Sequence, residues 1–280
     1  MPSWFAAAAV NRDGRLRNGW WVAAFLALLA ALLAPAILVS AHLGREVTIL
    51  DQVVIIALAT VAIQAFRRRS VFEVTGRPDL RWIAQLALGS ALGGLLMAAP
   101  ALALTLGGWV RWEVAAANPA ALWFAVLLMA GVAVAEELLF RGVLFQRLIA
   151  GIGLWPAQIV IGLFFVLTHL GNPGMDGATR IWAGVNIFVA SILFGLAYVR
   201  TRSLALPIGL HFMANVTQGI VLGFGVSGAA EPSVLSPVRA AGMDWLTGGA
   251  FGLEASLPGL IAVLALVTVF AWPPRAVAPA

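Results

Sequence analysis

Apolar residues run along the chain in eight long stretches, each bounded by charge or by Gly/Pro clusters: roughly 20–42, 47–66, 82–106, 120–149, 152–170, 180–199, 203–222 and 256–272. A helix crosses the hydrocarbon core with about 20 apolar residues. The pattern therefore predicts an all-α polytopic membrane protein of about eight transmembrane helices, with residues 1–280 forming a single membrane domain. Segment 223–255 is rich in Gly, Ser and Pro and shows no helix or strand period, so it reads as an outer loop, partly re-entrant. The first stretch has a signal-like flank in Arg12, Arg15 and Arg17 and a cleavage-like Val39-Ser40-Ala41. Its apolar run exceeds the 7–15 residues of a signal core, so a retained first span is expected.

Composition sharpens this picture. The chain has 280 residues, 62% hydrophobic and only 10% charged, with no cysteine. A soluble domain carries about 25% charged residues. The absence of cysteine excludes disulfides, thiolate zinc sites, iron–sulfur ligation and a cysteine nucleophile.

The formal charge of +5 raises the question of nucleic acid. All 17 basic residues are arginine, and their placement answers it. With a cytoplasmic N-terminus, thirteen arginines fall inside, at 12, 15, 17, 67, 68, 69, 77, 81, 141, 147, 200, 202 and 275. Four fall outside: Arg45, Arg111, Arg180 and Arg239. That is the positive-inside asymmetry of a membrane protein with both termini cytoplasmic. No basic face is left over for nucleic acid.

Polar groups inside apolar helices carry the chemistry. A charged residue at mid-bilayer costs about 2.5–3.5 kcal/mol on insertion scales and needs a reason. The fourth span contains Glu136 and Glu137, followed by Arg141. Glu137 and Arg141 are an i,i+4 pair on one face, while Glu136 is rotated about 100° away. The paired Glu137 is expected to stay ionised, and the unpaired Glu136 is a candidate general base. The fifth span ends in Phe165-Val-Leu-Thr-His169, and the seventh holds His211-Phe-Met-Ala-Asn215, with Asn215 one turn from His211. Together these are the residue types that activate water and stabilise an oxyanion. Helix lengths place Glu136 and His169 at matching depths about the turn at residue 152. His211 reaches that depth if the fourth–fifth hairpin, tipped by Arg141, Gln146 and Arg147, protrudes about 10 Å. A site shallow in the cytoplasmic half follows, among helices 4, 5 and 7. In the third span, Gly89-x-x-x-Gly93 predicts close helix packing.

These three motifs resemble those of the CAAX-protease and bacteriocin-processing (CPBP, or ABI) intramembrane proteases: E-E-x-x-x-R, F-x-x-x-H and H-x-x-x-N on successive helices. The resemblance covers residues 120–220, the expected protease core. It implies an intramembrane endopeptidase that hydrolyses peptide bonds without a covalent intermediate. Glu136 and His169 would activate water, and His211 and Asn215 would stabilise the oxyanion. Glu137 and Arg141, with Phe165, would support the site. Family members are often described as metalloproteases, and Glu136, His169 and His211 match the composition of a His₂Glu zinc site. The same groups also suit metal-free hydrolysis; the resemblance favours the name intramembrane metalloprotease while the divalent ion, zinc, stays open, and no organic cofactor is expected.

The expected partners are the lipid bilayer and a membrane-associated peptide or protein substrate, with no nucleic acid; the oligomeric state is not legible. Eukaryotic relatives trim prenylated C-termini. Here the Ala-rich, arginine-only composition suits a bacterial plasma membrane, and with it peptide maturation or bacteriocin protection. Two other classes fit the same residues. One is a catalytically silent scaffold or immunity-type protein of the same fold. The other is a proton-coupled transporter, which the lack of half-sequence symmetry disfavours.

Overall fold

The computed structural model describes residues 9, 10, 14 and 16–272. Eight apolar helical segments follow one another as the pattern predicts. They are α1 (Asn18–His42), α2 (Ile49–Phe66), α4 (Leu80–Leu106), α5 (Pro119–Leu139) continuing to α6 (Phe145–Ile152), α7 (Leu154–His169), α8 (Gly177–Thr201), α9 (Ala205–Asn215) and α11 (Leu257–Ala271). A four-residue α3 (Phe72–Thr75) and a four-residue α10 (Asp244–Thr247) lie in the connections. Five of the helical segments are long and apolar enough to cross a membrane, and two shorter apolar helices, α7 and α11, accompany them. The fold is an all-α polytopic membrane bundle. Arg12, Arg15 and Arg275 lie outside the described residues.

Side chains in the sequence set where several helices begin. The Thr48 hydroxyl accepts from the Asp51 N–H while Asp51 accepts from the Thr48 N–H, a capping box that starts α2. Asp79, Asn118 and Ser256 cap α4, α5 and α11, and Pro119 and Pro258 sit in the first turns of the last two. Each cap satisfies an orphan N–H and is worth about 1 kcal/mol. Proline in a first turn costs no intrahelical hydrogen bond.

The Gly89-x-x-x-Gly93 stripe brings α4 against α9, the helix that carries His211. A Cβ on Gly89 would stand 2.2 Å from the Leu206 carbonyl oxygen, and one on Gly93 would stand 2.1 Å from that of Leu210. Only backbone without a side chain fits there, so the two glycines set how closely α9 approaches its neighbour.

The fourth span differs from the expected continuous helix over 120–149. It breaks at Gly142 (φ −74°, ψ −129°), within a π-helical turn over Phe140–Leu144. A second π turn, Val216–Val221, follows Asn215 directly. Both helices that carry paired motif residues thus leave α geometry just after them, a placement common at functional sites.

The expected exposed tip also needs correcting. Arg141 is fully buried, and Gln146 is buried with its amide donating to the carbonyls of Val74 and Arg141. Gly142 turns the chain so that these side chains face the bundle. Arg141 is therefore not a loop charge, and the arginine asymmetry stands at twelve against four.

Segment 223–255, read as a loop without period, contains a strand. β2 (Leu235–Arg239) pairs antiparallel with β1 (Val110–Val114) from the connection before α5, in register from Val110↔Arg239 to Val114↔Leu235. Five residues containing a proline are too few to show alternation. The rest of the segment folds into the end of the bundle, burying Phe224, Val226, Phe251, Leu253 and Ala255. Gly252 (φ +109°) makes this possible, since a Cβ there would stand 1.9 Å from the Gly225 carbonyl oxygen.

Candidate active site

The centre of the site is an ion pair removed from solvent. Arg141 Nη1 donates to Glu137 Oε1 at 3.1 Å, with both side chains fully buried, in the i,i+4 relation that the spacing predicts. Arg141 Nη2 continues to the carbonyl (3.1 Å) and hydroxyl (2.9 Å) oxygens of Ser191 on α8. Its guanidinium lies over the rings of Phe165 (4.9 Å), Phe194 (5.0 Å) and Phe140 (5.8 Å). One cation therefore ties α5, α7 and α8 together by hydrogen bonds and cation–π contacts.

Glu137 has a second task. The same Oε1 accepts from His211 Nδ1 at 3.0 Å. A carboxylate can only accept when ionised, so Nδ1 carries the hydrogen and Nε2 is the free nitrogen of the ring. That Nε2 lies 3.9 Å from Glu136 Oε2, so the imidazole sits between the two adjacent carboxylates of the fourth span. Phe194 stacks on its face, with centroids 4.9 Å apart at 15°. The tautomer and the ring plane of His211 are both fixed.

His169 is oriented by its own helix. Its Nδ1 donates to the Phe165 carbonyl at 2.7 Å, which leaves Nε2 free. The F-x-x-x-H spacing now has a physical meaning. Phe165 offers its ring to Arg141 and to the imidazole (centroids 4.6 Å) and its carbonyl to Nδ1.

His169, His211 and Asn215 come together on the wall of one cavity of about 50 Å³, together with Phe165 and Phe194. That is room for one or two waters. Glu136 is not on this wall; it stands behind His211, about a quarter exposed, and its Oε2 makes no hydrogen bond among the described residues. The structure thus unites His169, His211 and Asn215 in one space and places Glu136 one contact beyond it.

Two residues of the same wall are invisible to the motifs, Ser227 and Glu254. Glu254 Oε2 accepts from the Ser227 N–H (3.1 Å) and from its hydroxyl (2.7 Å). Burial pushes its pKa above the usual carboxylate range, against the lowering by the Ser227 hydrogen bond and by the nearby histidines. Both residues come from the loop expected outside. The cavity therefore adjoins that loop, which corrects the expectation of a site shallow in the opposite half. The physical reason is the infolding of 223–255, which sequence periodicity does not register. The only sequence sign of Glu254 is its position two residues before the cap of the last helix. Asn186, on α8, lines the cavity too.

The same geometry bears on a metal ion. Among the described residues, no three His, Asp or Glu side chains are gathered closely enough to hold one. Nδ1 of His211 is engaged by Glu137, and Glu136 stands outside the cavity that His169 lines. As placed, Glu136, His169 and His211 do not fit a His₂Glu centre.

Residues 118–217 match a protein-family model, that of the Rce1-like type II CAAX prenyl endopeptidases. All three motifs lie inside the match. No curated protein matches the chain.

Proposed function

We propose, from the match of residues 118–217 to the Rce1-like type II CAAX prenyl endopeptidases and from the membrane-length apolar helices, that this integral membrane protein is a CPBP-type endopeptidase that hydrolyses peptide bonds of membrane-associated peptides or proteins without a covalent enzyme intermediate. The observation that carries this reading is the meeting of His169 from α7 with His211 and Asn215 from α9 on one water-sized cavity beside the Glu136–His211–Glu137 cluster.

The chemistry follows from which atoms are free. Two bases stand at the cavity or next to it, His169 Nε2 and Glu136 Oε2. A water held there gives a proton to this pair as its oxygen attacks the scissile carbonyl carbon. The carbonyl π electrons move onto oxygen, and the resulting oxyanion accepts from the Asn215 amide and from His211 in the form that also carries a proton on Nε2, a cation held between Glu136 and Glu137. Collapse of the tetrahedral intermediate breaks the C–N bond, and the proton taken from water goes to the leaving amine. The products are one carboxylate and one amine. Glu137 and Arg141 act through His211, holding its tautomer and its place, and no step is routed through a metal.

The Rce1-like family name includes prenylated CAAX substrates. We do not assign them to this chain, because nothing in the cavity selects for a prenyl group. A bacterial plasma membrane with both termini in the cytoplasm, and substrates drawn from peptide maturation or bacteriocin protection, fit the arginine distribution and the composition.

The test compares membrane-associated peptides, by mass spectrometry, from cells making the wild type and cells making Glu136→Ala. The expected result is a set of peptides cut only in the wild-type cells, with both proteins inserted to equal levels. Identical peptide sets would overturn the reading.

A further inference from the structure

Six side-chain amides are buried among the described residues: Gln64, Gln146, Gln158, Asn186, Asn215 and Gln218. All four glutamines donate to a backbone carbonyl. Gln64 reaches Ser70 at 2.7 Å, Gln146 reaches Val74 at 3.0 Å, Gln158 reaches Ile192 at 3.2 Å and Gln218 reaches Gly225 at 2.7 Å. The two asparagines donate to nothing among the described residues, and both line the cavity that His169 and His211 share. Burying an amide without a partner costs free energy, and native proteins rarely leave one unpaired without a reason.

Asn215 belongs to the third motif and already has a role in the proposed reaction. Asn186 does not, and it lines the same space from α8. It is 2% exposed, its Nδ2 has no hydrogen-bond partner among the described residues, and it stands on the inner stripe of α8. Ala190 follows it by one turn on that stripe, and Phe194, stacked on His211, by two. The cavity, about 50 Å³, holds only one or two waters, so two amides that line it can reach the same small group.

We infer that Asn186 is a second oxyanion donor, an amide kept unpaired by the fold so that it binds the scissile carbonyl oxygen together with Asn215 as negative charge develops there. The inference rests on the hydrolytic reading above. An amide whose hydrogen bond forms only in the transition state lowers the barrier without tightening substrate binding, which is why its cost in the free protein is tolerated. Asn186 would then touch the reacting atoms, and its loss should appear in kcat with KM little changed.

The test uses the purified full-length protein in liposomes. The probe is the most abundant peptide cut by the wild type in the membrane comparison, resynthesised with a fluorophore and a quencher flanking its cut. The deciding variant is Asn186→Leu, which keeps the volume and removes the unpaired amide. If Asn186 only fills space, the variant should cleave like the wild type, because an apolar group of similar shape replaces an unsatisfied polar one at little cost. The inference predicts an unchanged or raised thermal midpoint, a fall in kcat of about 10²–10³-fold and a KM within threefold of wild type. Wild-type kcat, or a kcat loss matched by a collapse of the thermal midpoint, would overturn it. Should Asn186→Leu fail to insert, Asn186→Asp keeps the shape and removes donors, and wild-type kcat in that variant would be equally decisive. If the wild type cuts no peptide at all, the hydrolytic reading fails and this inference falls with it. If the wild type and Asn186→Leu cut alike, only this inference fails.

Discussion

Replacing Arg141 with methionine is expected to remove most of the folded protein from the membrane. The methionine keeps an apolar stem among Phe140, Phe165 and Phe194 but leaves Glu137 fully buried with no cation. Breaking a buried pair from one side costs about 3–5 kcal/mol, because the partner charge is left uncompensated. Total stabilities of domains are only about 5–15 kcal/mol. The loss also frees the Ser191 hydroxyl and carbonyl, so α8 is no longer tied to α5. The check is the yield of monodisperse protein in detergent together with its thermal midpoint. A second variant makes the cause visible. Glu137→Gln combined with Arg141→Met leaves no unpaired charge and should recover part of the yield. It should stay inactive, since His211 has lost the carboxylate that holds its Nδ1–H. A single Arg141→Met protein with wild-type yield and midpoint would contradict this account of the ion pair.

The second large effect is expected at His211. Its ring is clamped by Glu137 on one side, faced by Glu136 on the other and stacked by Phe194. Only the clamp's product, a fixed His211 ring on the cavity wall, matters to the reaction. His211→Ala should therefore lower cleavage by about 10²–10⁴-fold, the range for a positioned acid–base group. Stability should suffer much less than in Arg141→Met, because Glu137 keeps Arg141 as its partner. The two measurements are initial cleavage rate and thermal midpoint on the same preparation. A variant that cleaves within threefold of wild type would remove His211 from the mechanism, and one that fails to fold would show its main role to be structural.

The contrast between these two variants reflects what could be read from the sequence. Apolar runs gave the eight helices, because burial in lipid demands uninterrupted hydrophobic length and leaves few other patterns. The Glu137–Arg141 pair was legible because i,i+4 spacing on a helix is local geometry, and the three motifs stood out because charged and polar groups are rare in apolar helices. What depended on packing between distant segments was not legible. Arg141 and Gln146 looked like a polar tip, and only the turn at Gly142 shows that they face inward. Pairing of β1 with β2 joins segments more than 120 residues apart through five-residue strands, too short to carry a period. Glu254 lies in the segment read as an outer loop, and the infolding that brings it to the cavity depends on Gly252 meeting Gly225. Asn186 is a different case. A polar side chain inside an apolar helix is the same signal that marked His169 and His211, and it was present in the sixth span. Its meaning appears only once the four buried glutamines are seen each to have a backbone partner while Asn186 and Asn215 have none among the described residues.

The most direct test of the central claim is hydrolysis by the purified protein in liposomes, with the wild type and His169→Ala compared on a quenched-fluorescent peptide taken from the wild-type cut sites. His169 has its Nδ1 spent on the Phe165 carbonyl and only Nε2 to offer, so the substitution removes one base from the cavity while leaving the Glu137–Arg141–Ser191 core in place. The account predicts cleavage by the wild type and a rate at least about 10²-fold lower for His169→Ala, with equal thermal midpoints. Equal cleavage by the two proteins would contradict it.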